Sequence, residues 1–307
     1  MSVAGPLFLD YSQHVIINNF GPVEVVRIGV RMPRGYLKEE EMKRIKVAFA
    51  ACVMSLCMSV SALAATDIGL NLDWKYAENS KINTGRARLY TSEATDKKNI
   101  TIAVDAGHGT AGGEDVKILC HPDGSARADG STICEAVPQG MTFQDKVTEA
   151  DASLMVAESF KNKLLSEGYD VLMVRDGEDV QLDDIARAVL SNNKADCHIS
   201  IHFNDSSSGV GAYYVSAPDK LKKLEPVSKY WNKSKKLGDS LISGLEANGV
   251  KISSSGSVEE DVVQTAYSSV ISAYVKLGDK TADHSKEACE KYAEGLVLGV
   301  NKYYGFA

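Results

Sequence analysis

Residues 100–113 read ITIAVDAGHGTAGG, and the fold turns on how the chain continues beyond the first few of them. Ile100 to Val104 is a short apolar run rich in β-branched residues, the pattern of a buried strand. Gly107, Gly109 and Gly112 then spell G-x-G-x-x-G, a dinucleotide-binding fingerprint when it runs straight into a helix. Here Glu114-Asp115-Val116 leads into a stretch rich in turn signals, HPDG and ADGS, and no helical spacing appears for over thirty residues. A pyrophosphate would have no helix N-terminus to rest on, and no Lys-Ser/Thr pair is present for a nucleoside triphosphate. The glycines instead let the backbone turn so that His108 projects from the carboxyl end of the strand, where ligands bind in α/β sheets.

Outward from this stretch, strands and helices alternate. Ala150, Leu154, Ala157, Lys161 and Leu164 fall at helical spacing and Gly168 supplies a stop, which predicts a helix from about 149 to 167. Strands are predicted at Tyr169–Val174, Cys197–Phe203, Gly211–Val215 and Val270–Leu277, and helices at 182–193, 227–248 and 286–304. The pattern predicts a single α/β domain over residues 100–307, with a mixed, substantially parallel sheet flanked by helices. Residues 65–99 are polar and aperiodic and read as a linker, with one edge strand at Ala87 to Tyr90. Gly109 to Thr148 shows no clear element, and loops of that length tend to be functional or mobile.

The N-terminal part carries a different signal. Residues 42–65, MKRIKVAFAACVMSLCMSVSALAA, place Lys43, Arg44 and Lys46 before an uncharged run that closes on Ala62-Leu63-Ala64. This is the layout of a secretory signal at 42–64, although the run is almost long enough for a membrane anchor. Lys38-Glu39-Glu40-Glu41 requires purine-rich codons, as a translated ribosome-binding site would, so Met42 is the expected start and residues 1–41 an upstream extension. The first 65 residues carry seven Lys+Arg and five Asp+Glu, which leaves 27 basic and 36 acidic residues, a net of −9. Nucleic acid is an unsuitable partner for such a surface. The expectation is a secreted or envelope-located monomer with no stable membrane insertion once the signal is removed. Beyond the uncharged run stand Cys120, Cys134, Cys197 and Cys289. Three connectivities are open, and Cys120 with Cys134 is expected because both lie in one loop.

His202, in Ser200-Ile201-His202-Phe203-Asn204, closes a second strand as His108 closes the first. Glu149 opens the helix between them. Two imidazoles and one carboxylate with a position left open make the ligand set of a catalytic zinc site. Asp105 is a candidate to orient His108, or a plain turn residue.

VDAGHG, the Glu149 helix, GYDVLMVRDGEDVQLDDIAR and NNKADCHISIHFN together resemble the zinc-dependent N-acetylmuramoyl-L-alanine amidases, over about residues 100–304. The resemblance implies hydrolysis of the amide between N-acetylmuramic acid and L-alanine, peptidoglycan as substrate, Zn²⁺ as cofactor, and His108, Glu149 and His202 as metal ligands. Glu135 competes with Glu149, because the stretch after His108 is longer than usual in the family. Arg187 and Asn204 match family positions, and Arg187 would otherwise pair with Asp183 or Asp184 on its own helix. The departure is at Tyr274-Val275-Lys276-Leu277-Gly278, where Lys276 stands in place of the general-base glutamate. A lysine cannot take that role unless strongly desolvated. Either the chain is a zinc- and wall-binding protein with impaired turnover, or Glu259, Glu260 or Asp279 supplies the carboxylate.

Overall fold

The computed structural model describes residues 65–306 in full, together with the backbone of residues 8–17 and 24–33. In the N-terminal unit, β1 (Phe8–Ile17) pairs antiparallel with β2 (Glu24–Pro33). The segment expected to be a secretory signal lies outside the described residues.

The second unit is built on an eight-stranded sheet. Its strands are β3 (Ala65–Gly69), β4 (Arg86–Tyr90), β5 (Thr101–Ala106), β8 (Asp170–Met173), β9 (Cys197–Asn204), β10 (Ala212–Ser216), β11 (Ile252–Glu259) and β12 (Ile271–Asp279). Their order is β11-β10-β12-β9-β5-β8-β4-β3. The central block β12-β9-β5-β8 is parallel, while β10 runs antiparallel to β12 and β4 antiparallel to β8 and β3. This is the single α/β domain with a mixed, largely parallel sheet that the alternating pattern predicts.

Helices cover both faces. On one lie α1 (Glu149–Ser166), α3 (Val227–Ala247) and α5 (Lys286–Tyr304); on the other lie α2 (Asp184–Lys194) and the short α4 (Val263–Ala266). β9 shows why the division is sharp. Its residues alternate, so Cys197, Ile199, Ile201 and Phe203 enter the main apolar core, while His198, Ser200 and His202 point to the opposite face. Each of those three polar residues is buried. A stripe of polar side chains buried on a sheet face needs partners, and they come from Asp105 on β5, His108 just beyond it and Glu149 at the start of α1.

Two regions differ from the sequence reading. Residues 65–99 are not a linker: β3 and β4 extend the sheet by two antiparallel strands, and Ala87 and Tyr90 are buried against it. β4 contains the expected edge strand at Ala87 to Tyr90, while β3 has no fully buried residue, so its polarity reads as loop until it pairs with β4. The long stretch from Gly109 to Thr148 contains a hairpin of β6 (Lys117–Leu119) and β7 (Ile133–Glu135). The expected Cys120–Cys134 disulfide closes it, with Cα atoms 5.4 Å apart, and Cys197 and Cys289 are free and buried. No helix among the described residues is long and apolar enough to cross a membrane.

Candidate metal centre

β5 ends at Ala106, and the chain then turns through Gly107 and His108. His108 has φ 64°, the left-handed region that costs a non-glycine residue about 1–2 kcal/mol. Two buried arginines hold this turn. Arg175 donates to the carbonyls of Ala106 (2.9 Å), Gly107 (3.1 Å) and Ala150 (2.6 Å). Arg187 donates to the carbonyls of Ala106 (3.0 Å) and His108 (2.6 Å) and to Asp105 Oδ1 (3.0 Å). Gly107 and Gly140 are required by close approach, since a Cβ on the first would lie 2.3 Å from the His202 ring and on the second 2.7 Å from the His108 ring.

The three expected ligands meet at this turn. His108 Nε2 lies 2.9 Å from Glu149 Oε1, and His202 Nδ1 lies 3.2 Å from both Glu149 Oε1 and His108 Nε2. Glu149 is the first residue of α1, whose N-cap Thr148 accepts from the Asp151 N–H. The helix start aims the carboxylate across the ends of β5 and β9, where its oxygens accept from the Phe203 and Met141 N–H groups at 2.9 and 3.0 Å. The His202 ring stacks on Tyr274 with centroids 4.0 Å apart, and its Nε2 lies 3.1 Å from Ser200 Oγ.

The donor set fits a cation. His108 Nδ1 lies 2.6 Å from the Pro138 carbonyl, which can only accept, so Nδ1 carries the proton and Nε2 turns a lone pair inward. That lone pair faces a carboxylate oxygen and a second imidazole nitrogen. Nitrogen and oxygen donors tetrahedrally arranged around a zinc ion at about 2.0–2.1 Å sit roughly 3.3 Å apart, close to the separations here. Burial opposes ionisation of Glu149, yet the facing His108 and His202 imidazoles outweigh it and hold the carboxyl far below its ordinary range. Burial pushes His202 down to about 4, which leaves its ring neutral and able to ligate at neutral pH.

Other expected roles resolve differently. Asp105 does not orient His108; it is fully buried between Arg187 and His198, whose Nε2 lies 3.3 Å from Asp105 Oδ2. Burial would raise its carboxyl, but the Arg187 guanidinium outweighs that and lowers it to about 2. Arg187 therefore pairs across the domain rather than along its own helix. Glu135 lines the same cavity but lies outside the close cluster, with Lys117 3.7 Å from its carboxylate, so Glu149 is the carboxylate that meets the two histidines. Asn204 accepts from the Tyr213 hydroxyl and donates to Ser206.

The cluster opens into a cavity of about 280 Å³ lined by His108, His202, Tyr274, Arg127, Asp184 and Glu260, among others. Lys276 is paired in register with His202 on the neighbouring strand, and its Nζ lies 3.1 Å from Glu260 Oε2. Of the three alternative carboxylates, Glu259 turns to Lys222 (3.0 Å), and Asp279 is buried under Ser206, Thr281 and the Gly209 N–H. Glu260 alone of these lines the cavity. Sequence reasoning missed Arg175, the Pro138 carbonyl and the Met141 N–H. Only Arg175, a charge ending an apolar strand, left a signal.

A profile of the N-acetylmuramoyl-L-alanine amidase family matches residues 102–298, about two thirds of the chain. The chain belongs to this family. That makes it a hydrolase of carbon–nitrogen amide bonds by descent. An uncharacterized protein of Bacillus subtilis, YqiI, is 27% identical over 213 residues, covering 66% of this chain and 84% of its own. The amidase Ami1 of Mycobacterium smegmatis superposes with a TM-score of 0.59 at 16% identity, covering 69% of this chain and 100% of the other. Ami1 of Mycobacterium abscessus gives 0.57 at 16% identity, covering 67% and 99%. At these identities the two structures share the fold with this chain, and the family assignment rests on the profile match.

Proposed function

We propose that the protein is a zinc-dependent N-acetylmuramoyl-L-alanine amidase that acts on peptidoglycan in the cell envelope, after export directed by residues 42–64. The observation that carries this is the convergence of His108 Nε2, Glu149 Oε1 and His202 Nδ1 within 3.2 Å of one another at the wall of a cavity. These three residues would hold the ion. When bound, zinc lowers the pKa of a coordinated water to near 7 and polarises the scissile carbonyl.

The chain's own residues supply the rest. Phe203 and Met141 fix the Glu149 carboxylate through their N–H groups, and Pro138 fixes the His108 tautomer. Tyr274 stacks against His202 and shields its outer face. The hairpin held by Cys120–Cys134 supplies Glu135, Val137 and Pro138 to the cavity rim, so the long insertion shapes the space in which a stem peptide would lie. The rival reading, a wall-binding protein without turnover, rests on Lys276 at the register position of His202. Glu260, facing the same cavity, argues against it.

The test is release of new N-terminal alanine from purified peptidoglycan, with zinc and then with a chelator. Activity lost on chelation and restored by zinc is expected. Activity that survives full removal of metal overturns the proposal.

A further inference from the structure

We propose that Glu260 is the proton-transferring carboxylate of this enzyme and that Lys276 is the residue that positions it. The inference rests on the amidase reading above and assigns the base to a segment outside the strand ends that carry the metal ligands.

Metal-assisted amide hydrolysis needs a group that takes a proton from the attacking water and returns one to the leaving nitrogen. Such a group must face the same cavity as the metal ligands without being one of them. Glu135, Asp184, Glu260 and Asp261 meet both conditions, but Asp184 accepts from Gln264, Asp261 is held by His121 and Glu135 turns to Lys117, which leaves Glu260. It comes directly after β11 and precedes α4, on a stretch pinned from two sides. The Glu260 N–H donates to the Ser216 carbonyl (3.2 Å). The Asp261 carboxylate meets buried His121 Nε2 at 2.9 and 3.0 Å, beside the Cys120–Cys134 bridge. The two neighbouring glutamates part here. Glu259 is drawn to Lys222 beside a second cavity, while Lys276 draws Glu260 to the ligand side.

Lys276 is suited to that task. Its side chain is only 14% exposed, against 46% for Glu260. β12 alternates, so Tyr274 and Lys276 share the face opposite Val275 and Leu277, which enter the core. Tyr274 stacks on His202, and Lys276 is the register partner of His202. The lysine thus occupies the strand position beside the ligand and presents a carboxylate from the adjoining segment. In the reaction, the water oxygen bonds to the carbonyl carbon as Glu260 accepts its proton. The C–N bond then breaks as that proton passes to nitrogen, giving the lactyl acid and the free alanine amine.

The experiment compares wild type with Glu260→Gln, Lys276→Met and Lys276→Glu. It measures alanine release, zinc per chain by elemental analysis, and calorimetric affinity for a soluble muramyl peptide. Glu260→Gln should lose about 10²- to 10⁴-fold in kcat while keeping full zinc and peptide affinity. Lys276→Met should lose about tenfold in kcat with KM held, because the base is present but unfixed. An active wild type whose kcat survives Glu260→Gln overturns the role of Glu260 and leaves the amidase reading intact. An inactive wild type that gains turnover as Lys276→Glu overturns it in favour of a protein that lost its base at position 276. If no variant turns over with zinc bound, the inference and the amidase reading both fall.

Discussion

Replacing Arg187 with Met keeps most of the side-chain length and deletes the guanidinium at the centre of the domain. Five acceptors lose a hydrogen bond: the carbonyls of Leu182, Ala106 and His108, Thr110 Oγ1 and Asp105 Oδ1, of which Ala106 keeps Arg175 and Leu182 keeps the Thr110 hydroxyl. Both partners of the Arg187–Asp105 pair are fully buried. Removing one partner of such a pair leaves the other charge uncompensated, at a cost of about 3–5 kcal/mol. In a domain of this size each kcal/mol shifts Tm by about 2–4 °C, so the expected fall is about 6–20 °C. The turn at His108 also loses a restraint on its left-handed backbone, so zinc affinity should fall with stability. Thermal unfolding monitored by circular dichroism, with zinc present and absent, measures both effects. A fall in Tm below about 2 °C, with zinc affinity unchanged, would refute the reasoning that this pair organises the site.

Four further outcomes are expected. Asp105 has its carboxyl lowered from 3.8 to about 2, so its ionisation adds about 2 kcal/mol of stability above pH 4. That contribution should fade as the pH falls through about 2, and an acid-unfolding profile of Asp105→Asn that keeps the same step would show another group responsible. His108→Ala or His202→Ala should drop zinc well below one ion per chain by elemental analysis, and full zinc in both variants would place the metal elsewhere. Gly140→Ala, at φ +83° and with its new Cβ 2.7 Å from the His108 ring, should weaken zinc binding at least about tenfold in competition with a chelator. Alkylation of unfolded, unreduced protein should leave Cys120 and Cys134 unlabelled, and their joint replacement by Ser should cost about 3 kcal/mol for a loop of this size; labelled thiols at both positions would rule the bridge out.

The candidate ligands were legible because each sits where local pattern and chemistry agree. His108 and His202 close apolar strands, and Glu149 opens a helix whose spacing and stop signal are plain. The helix bounds Glu149–Ser166 and Lys286–Tyr304 match the periodicity to within a residue. The partners of those ligands were not legible in the same way. Asp105 and Arg187 are 82 residues apart, and nothing at helical or strand spacing links them. The carboxylates nearest to Arg187 in sequence are Asp183 and Asp184, and local spacing favours them. Instead the Asp183 side chain caps its own helix and binds residues 80–82, while Asp184 accepts from Gln264.

By itself, then, the sequence determined the alternation of strands and helices, the family, the two histidines at strand ends and the expected pairing of two cysteines in one loop, and it left the carboxylate between Glu149 and Glu135. All of these depend on residues close in the chain or on short ordered motifs. The tertiary structure alone decided that Ala65–Gly69 joins the sheet outside the expected strand at Ala87 to Tyr90, that two buried arginines clamp the His108 turn, and that Glu260 rather than Glu259 or Asp279 faces the cavity. The reason is physical. Which of three carboxylates reaches a site depends on which strand pairs with which and on where each side chain is drawn. Adjacent residues such as Glu259 and Glu260, alike in every local property, are separated only by the lysines that tertiary folding sets on either side of them.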